Sequence, residues 1–228
     1  MLKAFFGEIP AFFTYYNGLF LLQAAARTIG LSAIGCVVGF VLGFFWAILR
    51  LVRGKAGLPA WLLSVLYVEF FRRVPFLVTL MIVFFVCQAL RLGLSVFTVA
   101  TTSVCLISAS YTAEIVRAGF ESVPLKQWEA AEVMNFTLPQ KLRLIVIPQA
   151  WKVILPPVFS FFIAFIKDTA LASQIGVIEL TYVGKVLNNK GYSASLVFGT
   201  ILILYFMISY PLARFGARME KRVALSKH

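Results

Sequence analysis

Hydrophobic residues do not alternate along this chain; they run together in long windows separated by short charged stretches. Residues 28–49, 74–90, 92–113 and 192–213 carry no charge, and the shorter window 153–166 extends back to Pro148 if Lys152 carries its ammonium to an interface. Each comes close to the roughly 20 residues a helix needs to cross about 30 Å of hydrocarbon. In lipid every backbone N–H and C=O must be satisfied within its own segment, so windows of this length predict helices. Leu58–Arg73 is also apolar, but Glu69, Arg72 and Arg73 interrupt it and Pro75 follows. It predicts a helix that rises from one membrane surface and bends near the proline into the second window. The expectation is an all-α integral membrane protein with about five transmembrane helices, over about 28–49, 59–90, 92–113, 148–166 and 192–213, in a single domain covering 1–228. Arg91 alone separates the second and third windows, so that turn is short.

Composition agrees, because 61% apolar and 13% charged residues leave too few charges to clothe a water-facing surface. The basic residues also orient the spans. Arg50, Arg53, Lys55, Arg72 and Arg73 flank the first connection, and Arg117, Lys126, Lys141, Arg143 and Lys152 fall in the next long one. Arg214, Arg218, Lys221, Arg222 and Lys227 form the tail on the same side. The positive-inside rule then predicts the N-terminus outside and the C-terminus in the cytoplasm. A net charge of +12 is thereby accounted for by topology and attraction to anionic lipid, with no nucleic acid as partner. Aromatic residues before position 27, among them Phe5, Phe6, Phe12, Phe13, Tyr15 and Tyr16, suit the outer interface. Gly35, Gly39 and Gly43 recur every four residues and so share a helix face that another backbone can approach closely. Cys36, Cys87 and Cys105 lie in apolar windows without metal-ligand spacing, and His228 is the one histidine. No nucleophile–base pair, paired carboxylates or metal constellation follows from these residues, so the chain reads as no enzyme.

Residues 114–150 form the one sizeable polar stretch inside the chain. Pro124 suits the first turn of a helix, which Gln127 to Met134 continue, with Glu129 and Glu132 on one face and Ala130 and Ala131 adding little bulk. Asn135 stands where that helix stops and is a residue that tolerates the left-handed conformation. Thr137-Leu-Pro-Gln140 has the form of a capping box and starts a second short helix, which Pro148 is expected to end. A cytoplasmic helix–turn–helix element over about 121–148, with a small acidic tip, is what docking into a groove on a soluble partner requires. Glu114 and Arg117 are three apart, a spacing that suits an ion pair on one helix face and equally leaves a substrate role for Glu114 open.

Glu129-Ala130-Ala131, with Pro148 downstream, resembles the EAA loop of permease subunits in bacterial binding-protein-dependent ABC importers. The longer run Tyr111, Ala113, Glu114, Arg117, Gly119, Val123, Pro124, Gln127, Trp128 and Ile147-Pro148-Gln149-Ala150 is similar to the polar amino-acid branch. Phe71-Arg72 with Pro75, and Ile166-Lys167-Asp168-Thr169, extend the match. The resemblance implies a multi-pass permease subunit in the bacterial inner membrane that moves a polar amino acid or related compound from periplasm to cytoplasm. It implies coupling residues Glu129, Ala130, Ala131, Asn135 and Pro148. Lys167, Asp168 and Thr169 read either as the mouth of a substrate pathway, with Glu114 a further candidate, or as interfacial residues that end a span. It also implies partners: two copies of an ATP-binding subunit that holds ATP and Mg, a periplasmic substrate-binding protein and a second permease subunit. The chain lacks the Gly-x-x-x-x-Gly-Lys-Ser/Thr phosphate loop, so ATP hydrolysis falls to the separate subunit and no cofactor is expected here.

Some positions depart from the family pattern. Lys126 and Asn135 replace the usual glycines, Arg72-Arg73-Val74-Pro75 stands for Arg-Gly-Thr-Pro, and Ser160-Phe161 stands where Asn-Glu is frequent. The last departure points to a heterodimer whose sister subunit holds the substrate. The competing readings are a membrane anchor for an ATPase complex that does not itself transport, and a permease for a different small solute. A secondary carrier is disfavoured, since no internal repeat is present.

Overall fold

The structure is a computed structural model and describes residues 8–52 and 57–225. Phe5, Phe6, Arg53, Lys55, Lys227 and His228 lie outside the described residues. Those that are described are almost entirely helical: α1 Tyr15–Leu49, α2 Leu58–Arg73, α3 Phe76–Ala89, α4 Val96–Glu121, α5 Leu125–Val133, α6 Leu138–Lys141, α7 Ile147–Asp168, α8 Leu180–Asn189 and α9 Ala194–Leu225. A π-helical segment, Leu142–Val146, joins α6 to α7, and a 3-10 segment, Thr169–Ile175, follows α7. Among the described residues four helices are long and apolar enough to cross a membrane, and the count reaches five if α2 and α3 together make one broken span.

Several helices run past the charge-free windows, for a simple reason. Charge marks where a side chain must reach water, while a helix continues as far as its backbone bonds do. Thus α1 runs back through the exposed Arg27 to Tyr15, and α9 runs on through Arg214 and Arg218, which sequence assigns to a tail. The break between α2 and α3 is local. Val74 is extended (φ −88°, ψ 131°) and Pro75 follows, as expected of a residue preceding proline. Arg91 and Gly93 form the α3–α4 turn with positive φ (51° and 63°).

The chain folds into two compact units. The first comprises 1–35, 76–104 and 163–212. Its core gathers Phe12, Leu21 and Ala24 with Leu180, Val183 and Leu187 of α8 and Leu196, Val197 and Ile201 of α9. The amide of Asn17 donates to the Phe12 carbonyl (3.0 Å) and lies 3.2 Å from the Tyr192 hydroxyl, which donates to the Ala11 carbonyl (2.9 Å). Part of the aromatic N-terminal stretch is therefore packed, while Tyr15 and Tyr16 remain exposed. Glu179, fully buried, caps α8: its carboxylate accepts from the N–H groups of Thr181 (2.9 Å) and Tyr182 (2.8 Å) and from the Tyr205 hydroxyl (2.7 Å). Burial pushes this carboxyl above the usual glutamate range, and the donors around it and Lys185 only partly offset that.

The second unit comprises 36–75, 105–162 and 213–228. In it α1 lies against α4 at backbone distance. A Cβ added to Gly43 would stand 2.8 Å from both the Ala109 carbonyl and the Ala113 nitrogen, and one added to Gly39 would collide with the Ser108 side chain. The stripe on the other side of α1, Val37, Val41 and Phe45, is exposed. Small residues inside and large apolar ones outside is the arrangement lipid favours. The core of this unit runs from Ala47 through Val116, Phe120 and Val123 to Leu142, Val146, Ala150, Ile154 and Val158. The polar stretch is thus fastened to the membrane helices on both its sides.

Candidate coupling site

Beyond Glu121 the chain leaves α4 and turns on Val123, which is buried at 5% exposure. Pro124 is the residue before α5, with extended ψ (134°), so it precedes the first turn expected of it. On α5, Trp128 is partly buried against the core and Ala131 is fully buried, while Leu125, Glu129 and Val133 form an exposed stripe at i, i+4, i+8. Ala131 has no room for bulk because it faces inward; Ala130 is exposed.

The end of α5 is a complete Schellman motif. The Phe136 N–H donates to the Ala131 carbonyl (3.0 Å), the Asn135 N–H donates to the Glu132 carbonyl (2.9 Å), and Asn135 takes the left-handed conformation at φ 56°. Asn thus fills a position whose positive φ favours glycine. The next helix opens on Thr137, whose N–H donates to Gln140 Oε1 at 2.8 Å in the capping box expected there. Lys141 then reaches back to Glu132 at 2.8 Å and clasps α6 to α5.

Pro148 does not end the second helix. It occupies the first turn of α7, directly after the π-helical segment. Proline cannot donate to the carbonyl four residues back and its ring crowds that group. One extra residue in the preceding turn relieves the crowding, so the helix continues into the membrane as one piece from Leu138 to Ile175. The two-helix element is therefore a short helix clasped to the base of a long one.

The tip is less acidic and more apolar than the sequence suggests. Glu129 and Glu132 are exposed, but so are Leu125, Val133 and Met134 at 69%, 83% and 65%. Three large apolar side chains thus stand exposed on a segment outside the stretches apolar enough to cross a membrane. The Val-Met pair just before Asn135 was the available signal for them.

Of the expected pathway residues, Glu114 belongs to the second unit and Lys167, Asp168 and Thr169 to the first. Glu114 sits among three arginines. Arg117 Nη2 lies 2.5 Å from Oε1, and Arg50 and Arg72 lie 3.0 and 3.6 Å from Oε2. Lys167 and Asp168 close α7, both exposed, and Thr169 is buried with its hydroxyl donating to the Ile166 carbonyl (2.6 Å). Phe161 stacks on Tyr111 at 5.0 Å, and the Ser160 hydroxyl donates to Glu220 (3.1 Å).

Residues 39–224 match the family model described as binding-protein-dependent transport system inner membrane component. The chain is 34% identical over 197 residues to the L-cystine transport system permease protein TcyB of Bacillus subtilis, covering 86% of this chain and 83% of the relative. It is 31% identical over 214 residues to the glutamate/aspartate import permease protein GltJ of Escherichia coli K12, covering 87% and 85%. Among solved structures, one described as an amino acid ABC transporter with histidines superimposes with a TM-score of 0.83 at 28% identity, over 96% of this chain and 98% of that one. An inward-facing MetNI methionine transporter shares the fold, with a TM-score of 0.79 at 22% identity over 92% and 99%.

Proposed function

We propose, starting from the fact that this chain belongs to the family of binding-protein-dependent transport system inner membrane components, that it imports a polar amino acid or a close relative of one. As a family member it is a multi-pass protein of the inner membrane and a transporter subunit, not an enzyme in itself. The similarity to cystine and glutamate/aspartate permeases supports the substrate class.

One observation carries the mechanism: the 121–148 element is capped, clasped and apolar at its tip. On this reading an ATP-binding subunit, which holds the ATP and Mg, seats the stripe Leu125–Glu129–Val133 in a groove. Closure of two such subunits presses on α5, and the Glu132–Lys141 clasp passes the displacement to the base of α7, because no loop separates α6 from α7. Asn135 and Pro148 keep that linkage stiff, one by fixing the turn and the other by fixing the base of α7. The polar stretch then faces the cytoplasm and the N-terminus the periplasm, where a binding protein delivers substrate.

The substrate path in this reading passes Lys167, Asp168 and Thr169. Glu114 is instead the hub of an ion-pair cluster. Phe161 stacks on Tyr111 and the Ser160 hydroxyl donates to Glu220, so neither of these two positions offers a carboxylate to a substrate, which supports a sister permease as the second half of the pathway.

The test is ATP turnover in lipid by this chain purified with its ATPase, binding protein and sister subunit, against a panel of amino acids. Stimulation by one of them supports the reading and names the substrate. Turnover indifferent to every amino acid but raised by another solute contradicts the substrate class. Turnover indifferent to any solute makes the chain an anchor.

A further inference from the structure

Glu114 is asked to neutralise more than one carboxylate can. Arg50, Arg72 and Arg117 all approach it, from the end of α1, the end of α2 and its own helix. Glu121 offers a second carboxylate, but to Arg117 alone. The Arg50 side chain is only 8% exposed, and its Nε and Nη2 are buried without a hydrogen-bond partner, as is Nε of Arg72. Buried guanidinium N–H groups without acceptors are costly, and a buried positive excess more so. A water would satisfy the donors but supply no charge. An oxyanion from outside the chain would supply both.

The position selects the source of that oxyanion. At 1.5 Å per residue, Glu114 lies about 27 Å along α4 from Val96, close to the full hydrocarbon thickness and hence at headgroup depth. Beside it, α2 exposes Leu62, Leu66 and Phe70 on one face, an apolar stripe that runs toward Arg72 and Arg73. Arg72 is one-third exposed, holds Glu114 only at 3.6 Å and lies over the Tyr111 ring at 5.8 Å, so of the three guanidinium groups it is the most exposed and the most loosely held by Glu114. We propose that the Arg50–Arg72–Arg117 cluster binds the phosphate of an anionic phospholipid, with its acyl chains along the exposed face of α2. The proposal needs only the membrane location and not the transported substrate. Arg73, already paired with Glu69, takes no part.

Native mass spectrometry of the delipidated transporter tests this, with phosphatidylglycerol, phosphatidylcholine and inorganic phosphate each added alone. The expected result is retention of phosphatidylglycerol over phosphatidylcholine, weakened roughly fivefold by Arg72→Gln, in line with the contribution of one basic residue at a membrane surface. Arg73→Gln should leave it unchanged. Equal retention of the two lipids in the wild type overturns the proposal, and that comparison stands even if Arg72→Gln does not fold. Undiminished phosphatidylglycerol binding in a folded Arg72→Gln protein overturns it as well. Retention of inorganic phosphate as strong as that of phosphatidylglycerol would replace the lipid with a soluble anion.

Discussion

Lys141 Nζ lies 2.8 Å from Glu132 Oε1, joining two helices across the left-handed turn at Asn135. The two ends of this bridge differ: the lysine side chain is 13% exposed and the glutamate 65%. An ion pair this wet contributes about 0–1 kcal/mol to stability. Its value lies in fixing the angle between α5 and α6. Glu132→Gln should therefore change thermal stability little while lowering substrate-stimulated ATP turnover. Restoration of turnover by the exchanged pair Glu132→Lys with Lys141→Glu would show that the bridge acts as a link, and a fully active Glu132→Gln protein would show that it does not.

Asn135 gives a cleaner stability test. Glycine adopts φ 56° without steric penalty, so Asn135→Gly should be neutral or slightly stabilising. A β-branched residue there should cost about 1–2 kcal/mol. Thermal melts of Asn135→Gly and Asn135→Val in the same detergent compare them directly, and equal melting temperatures would count against the turn described.

The α1–α4 contact predicts an asymmetry among glycines. Gly43→Ala places a methyl group against the α4 backbone, which cannot move as a side chain can, and should lower the melting temperature sharply. Gly18→Ala and Gly199→Ala meet nothing within 4 Å and should be tolerated or mildly stabilising.

Much of this was legible in the sequence, and what was missed has physical causes. The charge-free windows find helices because lipid excludes charge, and they misplace helix ends because Arg27 and Arg214 can reach water from inside a helix. Asn135 and Thr137 were readable since caps depend on local residue type alone. Pro148 was not: whether a proline ends a helix or starts one depends on the preceding turn, and a π-helical turn leaves no mark in residue type. The convergence of Arg50, Arg72 and Arg117 on Glu114 joins positions far apart in the chain, and of these only the Glu114–Arg117 spacing was visible.

Glu179 should make stability depend on pH. Its folded pKa is raised, so the folded state keeps the proton longer than the unfolded one. The stabilisation from this group is fully present below the ordinary glutamate value of about 4.3. It is lost as pH rises through the raised folded value. Glu179→Gln removes the titration, so the wild-type melting temperature relative to this variant should rise as pH is lowered from neutral toward that range. A difference that does not vary with pH would mean that the buried carboxyl keeps an ordinary pKa. Lys185 and the Tyr205 hydroxyl are the charged and titratable neighbours to hold constant.

The most direct test of the coupling element is co-purification of the ATP-binding subunit with the wild-type chain and with a Leu125→Glu, Val133→Glu double variant. Both positions are exposed, at 69% and 83%, so the variant should insert and fold as the wild type does. Recovery of the ATPase with the wild type and its loss from the folded variant is the predicted result. Equal recovery with both would place the docking surface elsewhere and contradict the account.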